Sequence, residues 1–185
     1  AGISRSPIPD TRHPKMTQAE WTSVANPTEQ GGRPGQRPWK DYFTFNTDHK
    51  VIGIQYLVTS FIFYLIGGAL ATVIRTELAT PESDLVSPEI YNSLFTVHGT
   101  IMIFLWIIPA GAGLANYLIP LMIGARDMAF PKLNAIAFWM IPPAGIVLAA
   151  SFAIQAPEAG WTSYPPLSLV SGKVGEGIWI FSLLT

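Results

Sequence analysis

Three stretches of the chain carry no Asp, Glu, Lys or Arg: Val51–Ile74, Ile90–Ala125 and Leu133–Pro157. At 1.5 Å of rise per residue the first makes a helix of about 36 Å, enough for a hydrocarbon core of about 30 Å. The pattern predicts a helix over about residues 50–75. The second stretch is longer than one span requires, and predicts a helix at about 91–118 followed by an apolar connection. The third predicts a helix at about 133–155. A fourth apolar run, Gly177–Thr185, predicts a helix from about 175 onward. A helix cannot end unpaired in lipid, so the sequence reads as the front part of a larger polytopic protein. The expected fold class is all-α, a membrane helix bundle, with no internal repeat visible.

The first 45 residues differ in kind. They hold six prolines and four glycines with no sustained period. Ala1–Arg37 is expected to be an extended or disordered tail, and residues 46–185 the membrane domain. Trp39, Tyr42 and Phe43 beside Lys40 have the composition of an interfacial belt leading into the first helix.

Composition sharpens this reading. The chain is 49% hydrophobic and 12% charged, against roughly 25% charged in soluble domains. Residues 1–50 hold 12 of the 23 charged side chains. The rest of the chain is too poor in charge to solvate a globular surface. The lipid bilayer is therefore the first expected partner. A net charge of −1 gives no ground for nucleic-acid binding. The absence of cysteine excludes disulfides, zinc–thiolate sites, iron–sulfur ligation and thiol catalysis. Seven basic residues in the N-terminal segment join Arg126 and Lys132, against Arg75 and Lys173 on the other side. That bias predicts an integral membrane protein with its N-terminus on the cytoplasmic-type side.

His98 lies within an apolar helix, among Phe95, Met102, Phe104 and Leu105. An intramembrane histidine is costly unless it is bonded. Two readings stand: a ring bonded to a neighbouring carbonyl, or a metal or heme ligand. Gly53, Ser60 and Gly67, seven apart, and Ala71 form a small-residue seam on which another helix packs. Arg75 ends the first helix, where an arginine also serves as a snorkelling anchor. Glu77 follows in an acidic loop with Glu82, Asp84 and Glu89. Asn116 ends the second predicted helix, Asn134 begins the third, Asp127 lies in the turn between them, and Tyr56 approaches the same level from the first helix. Such a carboxylate with two amides either holds water and takes up protons or caps helices.

At this point the residues match a family. Thr47-Asp-His-Lys50, Ile74-Arg-Thr-Glu-Leu78, Phe95-Thr-Val-His-Gly-Thr-Ile-Met-Ile-Phe104, the Asn116–Asn134 segment and Gly160-Trp-Thr-Ser-Tyr-Pro-Pro-Leu167 stand in order. From about Asn46 to Thr185 the chain resembles subunit I of the heme–copper terminal oxidases, most closely the cytochrome c oxidase branch. The resemblance implies that His98 ligates a low-spin heme, of the heme a type, and that Arg75 bonds a substituent of its ring. It implies that Asp127 is the acid at the mouth of the D proton pathway, lined by Asn116, Asn134 and Tyr56. Glu77 matches a carboxylate of a small calcium or sodium site in some members. A second heme and copper-B belong to a later part of such a subunit. The implied activity is reduction of oxygen to water coupled to proton pumping, with oxidase subunits II and III as partners and cytochrome c or quinol as electron donor. The membrane the resemblance implies is a bacterial plasma membrane, a thylakoid or a mitochondrial inner membrane.

The chain also departs from the family pattern. Val51 stands where many members have an acid, and Pro109–Asn116 is one residue shorter than usual. Ala135 and Ala137 replace polar residues, and Glu82 replaces a glycine near the cation site. A nitric oxide reductase of the same superfamily and a non-catalytic membrane protein with a bonded histidine are the competing readings. The Asp127 constellation argues against the first.

Overall fold

A computed structural model describes residues 38–81, 85–170 and 172–184. The tail expected at Ala1–Arg37 lies outside the described residues, as does Glu82. Lys40–Thr185 forms one compact unit. It is all-helical among the described residues. A 3₁₀ turn at Trp39–Phe43 precedes α1, His49–Glu77. The second long helix, α2, runs Pro88–Ile123, and α3 runs Pro131–Gln155. A short turn of helix, α4, covers Leu167–Val170, and α5 covers Lys173–Leu184. Three of these, α1, α2 and α3, are long and apolar enough to cross a membrane.

The helix ends follow from local chemistry. Asp48 caps α1, its Oδ1 accepting from Lys50 N at 2.8 Å. Ser87 caps α2 ahead of Pro88 and Glu89, which suit the first turn. Gly124 stops α2 in the left-handed conformation, φ 70°, a geometry open to glycine without a side-chain penalty. Pro131 opens α3. The second helix is longer than the 91–118 expected from the pattern. Pro120 sits inside it rather than ending it, so Asn116 lies two turns from the end.

Inside α2, Ile101–Ile107 is a π-helical segment, and Ile108 N–H bonds to the Ile103 carbonyl, five residues back. Pro109 follows directly. It lacks an N–H and its ring crowds the carbonyl four residues earlier, so the widened turns ahead of it relieve that clash.

The seam on α1 faces α2. A Cβ on Gly53 would lie 2.9 Å from Tyr117 Cβ and 3.0 Å from the Gly113 carbonyl oxygen. One on Gly113 would lie 2.8 Å from Tyr56 Cβ. The two backbones therefore meet where only glycine fits. Deeper in the bundle, Val97, Ile101, Leu105, Leu148 and Trp179 unite α2, α3 and α5. Ile52, Tyr56, Ala135 and Phe138 unite α1 and α3.

Candidate functional site

The candidate residues fall in two regions of the described bundle, one around His98 and one at the Asp127 end.

His98 is half-buried, and its Nδ1 lies 2.9 Å from the Gly67 carbonyl oxygen on α1. A carbonyl only accepts, so Nδ1 carries the proton and donates. Nε2 then keeps its lone pair, since the one hydrogen bond the ring makes to a described residue is at Nδ1. This is the tautomer and orientation of a metal-bound imidazole whose second nitrogen is tied to a backbone carbonyl. The two readings of the sequence are thus compatible: the ring is carbonyl-bonded at one nitrogen and open at the other. A neutral imidazole so held fits a residue that would hold heme iron.

Neighbours on both sides hold this part of α2. Thr96 and Thr100, four apart, bracket His98. The Gly160 N–H donates to Thr96 Oγ1 at 2.9 Å, and Trp179 Nε1–H donates to Thr100 Oγ1 at 2.9 Å. The Trp161 ring lies against Gly99. The sequence reading missed Thr96, Thr100 and Trp179. Their signal was two hydroxyls on one buried helical face.

Arg75 is exposed, with no bond to a described residue. It stands eight residues beyond Gly67 on α1, about 12 Å further along the axis, and Gly67, Ala71 and Arg75 follow one another at intervals of four. Glu77 Oε2 accepts from the backbone N–H groups of Leu85 and Val86 at 3.0 and 3.2 Å, anchoring the returning loop. No group of three His, Asp or Glu side chains gathers among the described residues.

At the other end, Asp127 is half-exposed in the turn between α2 and α3, and its Oδ1 accepts from Met128 N at 2.8 Å. It caps neither helix: Gly124 closes α2, and Phe130 opens α3 without a side-chain bond. Facing it is a residue the sequence reading passed over. His49, the first residue of α1, is 2% exposed, and its Nδ1 lies 3.4 Å from Asp127 Oδ1, close enough for an ion pair but not aligned as a hydrogen bond.

Tyr56 and Asn116 lie about two turns in from the ends of their helices, and Asn134 lies in the first turn of α3. Tyr56 packs against Gly113 of α2 and makes an edge contact with Phe138 of α3, ring centroids 5.3 Å apart. Asn116 is buried and its Nδ2 donates to the Ala112 carbonyl at 2.9 Å. Asn116 Oδ1, Asn134 Nδ2, Gln55 Oε1 and Trp139 Nε1 are buried with no partner among the described residues. Native interiors satisfy such atoms, and ordered water is the usual agent where protein groups are absent. None of the three inner residues bonds Asp127 directly.

Comparison with known proteins gives these residues a context. Residues 51–185 match the family described as cytochrome c and quinol oxidase polypeptide I. Cytochrome c oxidase subunit 1 of Synechocystis sp. is 70% identical over 149 residues, 80% of this chain and 27% of that protein. The protein of the same name from Thermostichus vulcanus is 58% identical over 170 residues, 91% of this chain and 31% of its own length. A heme-copper oxidase subunit I+III of Aeropyrum pernix is 48% identical over 147 residues, 78% of this chain and 18% of that protein. The chain thus spans under a third of the length of these relatives. Its apolar helices mark an integral membrane protein, and it belongs to the cytochrome c and quinol oxidase polypeptide I family.

Proposed function

We propose that the chain serves a terminal oxidase that reduces oxygen to water, supplying a ligand to a low-spin heme and taking up protons at the Asp127 end. The observation that carries this reading is His98, with Nδ1 tied to the Gly67 carbonyl and Nε2 open. Heme, when bound, supplies the electron transfer. His98 would hold its iron through Nε2, and the Gly67 carbonyl keeps the ring oriented and its lone pair basic. Arg75, one end of the same α1 face, would donate a charge-assisted hydrogen bond to a ring substituent. Asp127 would accept protons from water, and waters on Asn116 Oδ1, Asn134 Nδ2 and Tyr56 would pass them inward. Protons do not cross hydrocarbon without such polar groups.

The finer parts of the proposal rest on the family. The heme is of the a type, with a second heme and copper-B in the rest of the subunit. Subunits II and III are the partners. Cytochrome c is the donor, in keeping with the names of the relatives from Synechocystis and Thermostichus. The membrane is a bacterial plasma membrane or a thylakoid. The excess of basic residues at the Asp127 end supports a cytoplasmic position for that end.

The test is His98→Ala in the complete oxidase. The low-spin heme bands are expected to vanish; an unaltered heme spectrum would overturn the proposal.

A further inference from the structure

Gln55 is 4% exposed and sits one residue from Tyr56. Its Nε2 uses both hydrogens on the backbone that precedes α1: it donates to the Tyr42 carbonyl at 3.1 Å and to the Thr44 carbonyl at 3.3 Å. Those carbonyls belong to a strap, Tyr42–Asp48, that crosses the first turns of α1 before entering it. The far end of the strap is also fixed. Asn46 Oδ1 accepts from Asp48 N at 2.9 Å, and Asp48 Oδ1 from Lys50 N at 2.8 Å. His49 comes next. Its ring makes no aligned hydrogen bond among the described residues and meets Asp127 Oδ1 at 3.4 Å. With nothing gripping the imidazole itself, its place depends on where the strap delivers the chain.

We propose that Gln55 is a positioning residue for the Asp127 end: its amide clamps the strap across α1 and thereby holds His49 against Asp127. The role requires this side-chain type. An amide supplies two donors from one nitrogen, and the two acceptors are carbonyls 13 and 11 residues earlier in the chain. An apolar side chain of similar size leaves both carbonyls without that donor. The remaining atom, Oε1, is buried and unpartnered among the described residues, so it is one more polar atom at this end that ordered water would satisfy. Gln55 acts through His49 and touches no reacting atom itself. The inference rests on the reading of Asp127 as the site of proton uptake.

The experiment uses the complete oxidase in vesicles, with Gln55→Leu, His49→Gln and the double variant. The carboxyl infrared band of Asp127 is assigned by its loss in Asp127→Asn. Gln55→Leu is expected to shift that band, to leave the heme bands in place, and to slow proton uptake by about 10-fold, a scale that misplacement of a group by an ångström readily reaches. In the His49→Gln background the same replacement is expected to add nothing, because the two residues act as one unit. An unmoved Asp127 band, or an effect of equal size in both backgrounds, overturns the clamp. If Gln55→Leu does not assemble, Gln55→Asn, one methylene shorter, is read in the same way. Failure of both to assemble also overturns the proposal, since the amide would then be a folding requirement. Normal uptake and pumping in Asp127→Asn would instead sink the proton-uptake reading, while the infrared coupling would still report on the clamp.

Discussion

His98 Nδ1 lies 2.9 Å from the carbonyl oxygen of Gly67, 31 residues earlier in the chain. The bond spans the α1–α2 contact at a point where α1 has no side chain. A Cβ on Gly67 would lie 2.8 Å from the sulfur of Met102 and 3.2 Å from Ile101 Cγ2. Gly67→Ala is expected to be tolerated, because a thioether swings aside at little cost. Gly67→Val adds methyls toward Ile101 and is expected to push α1 away, costing about 1–3 kcal/mol as other overpacked contacts do. The low-spin heme band should shift in Gly67→Val and stay in place in Gly67→Ala; absorption spectra with thermal melts decide.

Arg75 stands beyond Gly67 on the same face of α1. If it donates to the heme ring, Arg75→Met removes a charge-assisted bond, a class worth about 1.5–3 kcal/mol. The low-spin band and its midpoint potential should then both move. If neither moves, Arg75 is an interfacial anchor.

Asp127 caps no helix, so replacing it should not cost the stability of a lost cap. Asp127→Asn keeps the shape and removes the titratable group. Heme content and melting temperature are expected to hold, while oxygen reduction slows and pumping stops. Pumping at the parent stoichiometry in vesicles would refute the role.

The bond from Trp179 to Thr100 tests how the His98 helix is braced. Thr100→Val strands a buried indole N–H, and leaving a buried donor unmade costs about 1–3 kcal/mol. Trp179→Phe leaves a hydroxyl that still donates to the Thr96 carbonyl, at 2.8 Å in this structure. Most of its cost should come from lost packing. A larger drop in unfolding free energy for Trp179→Phe than for Thr100→Val would therefore point to packing as the brace, and the reverse order to the hydrogen bond.

The helices were legible because lipid-facing segments exclude charge, and that signal does not depend on neighbours. The end of α2 was misplaced for a local reason. Asn116 and Pro120 look like a terminus, but in this helix Pro120 forgoes one backbone bond and the stop comes at Gly124. His98 and Asp127 stood out as isolated polar groups in apolar or turn sequence. His49 did not, because its meaning depends on Asp127, in a turn two long helices further along the chain. The clue available was Asp48, a good cap, which puts His49 in the first turn of α1. Gln55 did not stand out either, since its partners are backbone carbonyls that no sequence pattern displays.

His98 and Asn116 lie on opposite sides of the π segment of α2. An uninterrupted α-helix, at about 3.6 residues per turn, would make about five whole turns between them, and the two side chains would share one azimuth. The π segment turns the chain less per residue, so the two halves of α2 are out of phase. The helix behaves as two shafts joined by a coupling, and the coupling sets the angle at which one half is driven relative to the other. A single residue removed from Ile101–Ile107 would let these turns tighten to α geometry and leave the two halves close to their present phase, whereas the same deletion elsewhere between His98 and Asn116 would turn the Asn116 shaft by about 100° for as long as His98 stays locked to Gly67.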